Sequence, residues 1–306
     1  MTLPLGVIKY LRAMKYQGLY TAIVTPFKNN EVDYDAFRAL VEAQIAGGVD
    51  GIVPVGTTGE SPTLSHEEHM EVIRKCIEYA AGRCQVIAGT GSNSTEEAIE
   101  MTKEAAAMGA DGTLQVCPYY NKPSQEGLYR HFKAIAESTE LPVLLYSIPG
   151  RSGIEIAVDT VARLAKDCPT IVAIKEAGGS VERVNQLVQA VPADFAVLSG
   201  DDGLTVPFIS CGAVGLVSVT SNVAPAEMKA LVDAALSGDG RKALELQKKY
   251  YPLMKGLMSL DTNPVPIKAA LALRGDISWE IRMPMVALAE EKHAALAQLL
   301  KNFNLL

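Results

Sequence analysis

Ile171-Val172-Ala173-Ile174-Lys175-Glu176-Ala177-Gly178-Gly179 is an apolar, β-branched run that ends in charge and then in a glycine turn. A short continuous apolar run of this kind suits a strand buried on both faces, the condition of a strand inside a parallel sheet. A charge at its end is costly to desolvate. Burial disfavours the ammonium of Lys175 and frees the amine as a nucleophile, and lysines so placed form Schiff bases with carbonyl substrates. The other reading of the same stretch sets Lys175 beyond the strand end, paired with Glu176 in water.

Working outward, seven more short β-rich runs share this character: Thr21–Val24, Gly51–Val55, Gln85–Ala88, Thr113–Val116, Val143–Tyr146, Phe195–Leu198 and Gly215–Val219. Helical patterns separate them at Asp35–Ala46, Ser65–Ala80, Ser94–Met108, Gln125–Ser138, Val158–Lys166, Val181–Ala190 and Leu204–Cys211. Ser65 followed by Glu68, and Ser94 followed by Glu97, fit the reciprocal capping box. Strands alternating with helices, with Ile171–Lys175 as the sixth strand of eight, predict an α/β fold of the (β/α)8 TIM barrel type. An open doubly wound sheet is the competitor, and it lacks a GxGxxG after the first strand. After the last strand the chain reads as helix throughout, at Pro225–Ser237, Arg241–Leu260, Pro266–Arg274 and Met285–Asn302. The expected division is an N-terminal extension at 1–15, the barrel at 16–223, and a C-terminal helical appendage at 224–306.

The chain has 306 residues, 48% of them hydrophobic, and a net charge of −7. No basic stripe is present, which argues against nucleic acid and anionic membrane as partners. Five cysteines without CxxC or zinc-like spacing read as reduced thiols in a cytoplasmic protein, and no metal site is expected. No run reaches the roughly 18 apolar residues of a spanning helix. The first residues, MTLPLGVIKYLRAMK, carry Lys9 and Arg12 within or beside their apolar stretch and lack a small-residue cleavage site, so they do not read as a signal peptide. Met14 is an alternative start.

In a barrel of this type the chemistry gathers at the carboxyl ends of the strands. The second run ends in Gly56-Thr57-Thr58-Gly59-Glu60, where tight turns, amides and hydroxyls can cradle a carboxylate, or form a plain polar turn. The fourth leads into Cys117-Pro118-Tyr119-Tyr120-Asn121-Lys122-Pro123, whose tyrosines suit interface packing or proton relay. The fifth leads into Tyr146-Ser147-Ile148-Pro149-Gly150-Arg151-Ser152-Gly153, a phenol for proton shuttling and an arginine for a carboxylate. The seventh ends in Leu198-Ser199-Gly200-Asp201-Asp202, whose acids are expected to cap the next helix. One lysine, phenols, hydroxyls and an arginine at one mouth predict a metal-free lyase or aldolase for a small keto acid.

In order and context, GTTGE (56–60), CPYYNKP (117–123), YSIPGRSG (146–153), IVAIKEAGG (171–179) and LSGDD (198–202) resemble the dihydrodipicolinate synthase family, from about Tyr16 to the C-terminal helices. The resemblance implies a pyruvate-dependent class I aldolase barrel assembled as a homotetramer, a dimer of dimers. The implied reaction condenses pyruvate with L-aspartate 4-semialdehyde in the diaminopimelate route to lysine, with no cofactor beyond the imine on Lys175. By the same resemblance Tyr146 is the general acid/base, and Thr58 and Tyr120 complete its proton relay, Tyr120 reaching in from a neighbouring subunit. Thr57 and Thr58 hold the pyruvate carboxylate, Gly200 and Val217 line the substrate site, and Arg151 clamps the semialdehyde carboxylate.

N-acetylneuraminate lyase and the keto-deoxy-sugar acid aldolases share the lysine, and Arg151 with the doubled threonine separates this chain from them. A barrel that has lost catalysis is disfavoured by the joint presence of Lys175, Tyr146, Tyr120, Thr58 and Arg151. Ser147 replaces the family's usual Asn and Val217 its usual Ile. The resemblance also implies a feedback site for free L-lysine at Ser61, His66, His69, Asn93, Glu97 and Tyr119, with Pro62 in its wall where Ala is usual. The plain reading of these residues is that the histidines start a helix and Glu97 is a first-turn acid favoured by the helix dipole.

Overall fold

A computed structural model describes residues 16–306; the N-terminal extension at 1–15 and the alternative start at Met14 lie outside the described residues. The chain enters through β1 (Gly18–Ala22), passes a small hairpin of β2 (Phe27–Lys28) and β3 (Glu31–Val32), and continues through β4 (Gly51–Val53), β5 (Gln85–Gly89), β6 (Gly112–Val116), β7 (Val143–Ser147), β8 (Ile171–Glu176), β9 (Ala196–Ser199) and β10 (Gly215–Ser218). All but the hairpin close into a parallel barrel in the order β1-β10-β9-β8-β7-β6-β5-β4. Helices between the strands cover it, and helices at Pro225–Leu236, Gly240–Ser259, Val265–Arg274 and Glu290–Lys301 follow. The expected TIM barrel with a helical appendage is the observed fold.

Alternation along the strands divides the core into layers. Tyr20, Ile87, Leu144, Tyr146, Ala173, Leu198 and Val217 fill the barrel interior, whereas Leu145, Ile171, Ile174 and Val197 face the helices. β8 gains a residue against β7, since Val143 pairs with Ile171 but Leu144 with Ala173. Such a bulge resets which face each side chain takes. Beyond it Ala173 lies inward and Ile174 outward, and Lys175 and Glu176 continue that alternation.

Several expected boundaries move for physical reasons. β1 begins at Gly18 instead of Thr21 because the low-propensity glycines Gly18 and Gly215 pair across the seam, where a Cβ on Gly215 would collide with the Gly18 carbonyl oxygen. It stops before Val24, whose N–H donates to Asn222 Oδ1 at 3.1 Å instead of to a strand. β4 stops at Val53, since Pro54 has no N–H and Val55 adopts φ 50°. The hairpin has no counterpart among the expected strands; Asn29 and Asn30, with φ 55° and 63°, make its turn in the left-handed region that asparagine tolerates. The last helix starts at Glu290, five residues later than expected from Met285; just before that segment the Arg282 amide donates to Glu60 Oε2 at 3.0 Å and its guanidinium to Glu68.

Ser65 forms the full capping box with Glu68. At the second site only half forms. Ser94 Oγ accepts from the Glu97 amide, but the Glu97 carboxylate accepts its hydrogen bond from the Ser92 hydroxyl.

Candidate active site

Lys175 and Tyr146 are register partners on β8 and β7. Both are buried, Lys175 at 6% exposure, and the lysine Nζ stands 4.1 Å from the centroid of the tyrosine ring. The solvent-paired alternative for Lys175 does not hold. The neighbouring Glu176 faces the helix layer, where its Oε2 accepts from Arg183 Nε at 2.8 Å and its Oε1 from the Gly178 amide at 2.7 Å. Burial still pushes the Glu176 carboxyl above its ordinary value, against the pull of Arg183. Gly200 closes over the lysine: a Cβ there would lie 2.7 Å from Ala177 Cβ and 3.0 Å from Lys175 Cε. Val217 is buried in the same interior cluster as Tyr146.

The loop after β4 winds through Gly56–Glu60 with the Gly59 amide bonded to Gly56 and the Glu60 amide to Thr57. Val55 and Glu60 both hold positive φ, 50° and 57°, conformations unusual for side chains with a Cβ and found where surroundings impose them. Around Glu60 the surroundings are ionic. Glu60, buried, pairs with the buried Lys268 of the helix Val265–Arg274, and the Lys268 Nζ also lies 4.3 Å from the Phe27 ring centroid. Desolvation holds the Lys268 amine below its usual value, opposed by the Glu60 charge. Among the described residues the amides of Thr57 and Thr58 donate to no acceptor, which leaves two N–H groups for an anion.

Pro149–Ser152 forms a single helical turn, absent from the expected elements, that carries Arg151. The guanidinium Nη2 donates to the Asn263 carbonyl at 2.8 Å, and the Asn263 side-chain Nδ2 donates to Thr58 Oγ1 at 3.0 Å. Asn263 is the site residue that local pattern misses. Its only signal is an Asn-Pro turn 205 positions from Thr58.

A cavity of about 240 Å³ opens at this end of the barrel, lined among others by Thr57, Ser61, Pro62, Tyr119, Tyr146 and Arg151. Tyr120 stands apart. It is 90% exposed with φ 71°, and the Asn121 amide bonds back to the Tyr119 carbonyl at 2.9 Å. That is a γ-turn of the rare positive-φ form, and it thrusts the ring outward. Within one chain Thr57, Tyr146 and Arg151 share the cavity, with Lys175 against Tyr146 and Thr58 joined through Asn263; Tyr120 does not join them.

Of the six residues read as a lysine site, Ser61 and Tyr119 line the cavity. Asn93 Nδ2 donates to the Tyr119 carbonyl at 3.2 Å. His69 is buried with Nε2 at 2.7 Å from the Gly89 carbonyl, and burial lowers its pKa, with His66 adding to the lowering and Glu97 opposing it. His66 is turned to Glu104 at 2.9 Å. Asp201 caps the turn after β9 through the Gly203 amide, as expected, but Asp202 instead accepts from Ser218 and the Val219 amide and straps β9 to β10. Among the described residues no group of three or more His, Cys, Asp or Glu is placed to hold a metal ion, and no helix is long and apolar enough to cross a membrane.

Comparison with known proteins shows the family. The model of the dihydrodipicolinate synthetase family matches residues 15–303. The 4-hydroxy-tetrahydrodipicolinate synthase of Syntrophus aciditrophicus (strain SB) is 52% identical over 291 residues, 95% of this chain and 99% of that protein. The structure of the 4-hydroxy-tetrahydrodipicolinate synthase from Methylacidiphilum fumariolicum SolV superposes with a TM-score of 0.93 at 55% identity, covering 95% of this chain and 96% of that one. The dihydrodipicolinate synthase of Cyanidioschyzon merolae with lysine bound superposes with a TM-score of 0.92 at 43% identity, covering 95% and 99%.

Proposed function

Because the chain belongs to the dihydrodipicolinate synthetase family, and so condenses pyruvate with L-aspartate 4-semialdehyde as a lyase of the class I aldolase type in lysine biosynthesis, we propose that Lys175 is its Schiff-base residue and Tyr146 its acid/base. The observation that carries this reading is the buried Lys175 amine 4.1 Å from the Tyr146 ring centre. The unprotonated Nζ adds to the pyruvate carbonyl and water leaves, giving a protonated imine. That imine draws electrons from the methyl carbon, a proton departs to the Tyr146 oxygen, and an enamine remains. The enamine carbon attacks the semialdehyde's aldehyde carbon, and the new alkoxide takes a proton. The semialdehyde amine then adds to the imine carbon, expels the Lys175 amine and closes the ring. The imine is itself the electron sink, so the steps call for no cofactor.

Thr57 and Thr58 hold the pyruvate carboxylate through their amides and hydroxyls, and Gly200 and Val217 bound the space around the imine. Arg151 receives the semialdehyde carboxylate. The exposed Tyr120 with its positive φ supports its role as the relay member contributed to a neighbouring subunit; the homotetramer, a dimer of dimers, rests on the family resemblance. L-Lysine binds at Ser61, His66, His69, Asn93, Glu97 and Tyr119, a reading supported by the Asn93–Tyr119 contact and by the lysine bound in the Cyanidioschyzon merolae protein. Five cysteines without disulfides suit the reducing cytoplasm. The test is turnover of pyruvate plus L-aspartate semialdehyde coupled to a dihydrodipicolinate reductase, with borohydride reduction of the pyruvate imine and mapping of the labelled residue. Turnover with the label on Lys175 supports the assignment; a label on any other lysine overturns it.

A further inference from the structure

We infer that Asn263 is a positioning residue of the reaction: its side-chain amide sets the direction in which the Thr58 hydroxyl passes its proton. The inference rests on Thr58 being a relay member. Asn263 lies in the turn between the helices Gly240–Ser259 and Val265–Arg274 and is 6% exposed. Its Nδ2 donates to Thr58 Oγ1 at 3.0 Å. A hydroxyl has one proton and two lone pairs. By occupying a lone pair, the amide leaves the Thr58 proton for a different acceptor. With the amide reversed, Oδ1 would take that proton itself and withdraw it from the relay.

Two further observations fix the arrangement. The Asn263 main-chain carbonyl accepts from Arg151 at 2.8 Å, which pins the residue at the mouth independently of its side chain. Among the described residues, the buried Asn263 Oδ1 has no hydrogen-bond partner. A buried acceptor without a partner is destabilising, and an aliphatic side chain of the same size would avoid it. The amide therefore serves its donor end, which is the end on Thr58. A residue of the helical appendage thus acts on the relay through its side chain and on the semialdehyde clamp through its main chain.

The two functions separate by mutation. Asn263→Ala should lower kcat about tenfold, the loss of one directed hydrogen bond, and slow imine formation with pyruvate. It should leave the KM for semialdehyde within about twofold, because the carbonyl still holds Arg151. Asn263→Asp keeps the shape but can only accept when ionised, so it should be at least as slow as the alanine variant. Combined with Thr58→Val, Asn263→Ala should add no further loss. An aspartate variant near wild type, or losses that multiply in the double variant, would show a packing role only and overturn the inference. Melting curves of each variant separate these effects from unfolding, and should the aspartate variant not fold, the alanine–valine cycle decides alone. If Thr58→Val itself turns over normally, the relay reading of Thr58 falls first and the inference with it. If Thr58→Val is slow while Asn263→Ala is not, the inference alone fails.

Discussion

Lys175 and Tyr146 face each other across β8 and β7, the amine 4.1 Å from the ring centre, both on the inner face of the barrel. The pairing predicts unequal consequences for the two residues. Lys175→Ala should abolish borohydride trapping of pyruvate and turnover together. Tyr146→Phe keeps the ring against the amine but removes the proton carrier, so it should still trap pyruvate while kcat falls about 10²- to 10⁴-fold, the usual range for a general acid/base. Trapping that survives in Lys175→Ala would remove the lysine from its assigned role.

Arg151 should govern the second substrate. Charge-assisted hydrogen bonds contribute about 1.5–3 kcal/mol, so Arg151→Ala should reduce kcat/KM for semialdehyde about 10- to 100-fold while pyruvate trapping continues. An equal loss in both half-reactions would place Arg151 in the scaffold and not in the semialdehyde clamp.

The parts of this molecule that are legible in the sequence are those encoded locally. The apolar run to Ile174 announces an interior strand, but which member of the charged pair at its end turns inward depends on the bulge against Val143 and Leu144, a long-range pairing that local pattern does not show. GTTGE announces a turn. It does not reveal that Glu60 takes a left-handed conformation or that its carboxylate meets Lys268, 208 positions later. Asn263 escapes for the same reason, and Gly18 escapes because glycines at a tight barrel seam look like a loop. Tyr120 marks the opposite limit: its motif is plain, yet within one chain it stands 90% exposed and apart from the cavity, and its proposed place in the chemistry calls for a second subunit.

The Glu60–Lys268 pair should be a principal anchor of the loop Gly56–Glu60, proposed to hold the pyruvate carboxylate. Lys268→Met leaves the Glu60 carboxylate buried with only the Arg282 amide, and breaking a buried pair from one side costs about 3–5 kcal/mol. Denaturant unfolding should show that loss, and the double variant with Glu60→Gln should recover part of it. A loss below about 1 kcal/mol, the value of an exposed pair, would show that water reaches the site.

His131 makes stability depend on acidity. It is buried, bonded through Nδ1 to Thr95 Oγ1 at 2.8 Å, and burial lowers its pKa to about 4. Between the ordinary imidazole value of about 6.5 and about 4, the unfolded chain binds a proton that the folded chain refuses, so stability is full above this window and declines as pH falls through it. The contribution is on the order of 3 kcal/mol across the window. His131→Gln should lose less melting temperature than wild type between about pH 7 and about pH 4.5; parallel losses would assign the acid sensitivity to other groups.

The proposed lysine site yields the last expectation. Glu97 is an exposed residue whose carboxylate accepts from the Ser92 hydroxyl, and it contributes to the field around His69. An ammonium ligand would gain a charge-assisted bond there, worth about 1.5–3 kcal/mol. Millimolar L-lysine should therefore lower the initial rate, and Glu97→Gln should raise the half-inhibitory concentration about tenfold or more. L-Lysine acting at this site should change the dependence on pyruvate without competing for Lys175, so pyruvate trapping should persist at saturating inhibitor. Initial rates unchanged by millimolar lysine would remove the regulatory role and return Glu97 to a first-turn acid that complements its helix dipole.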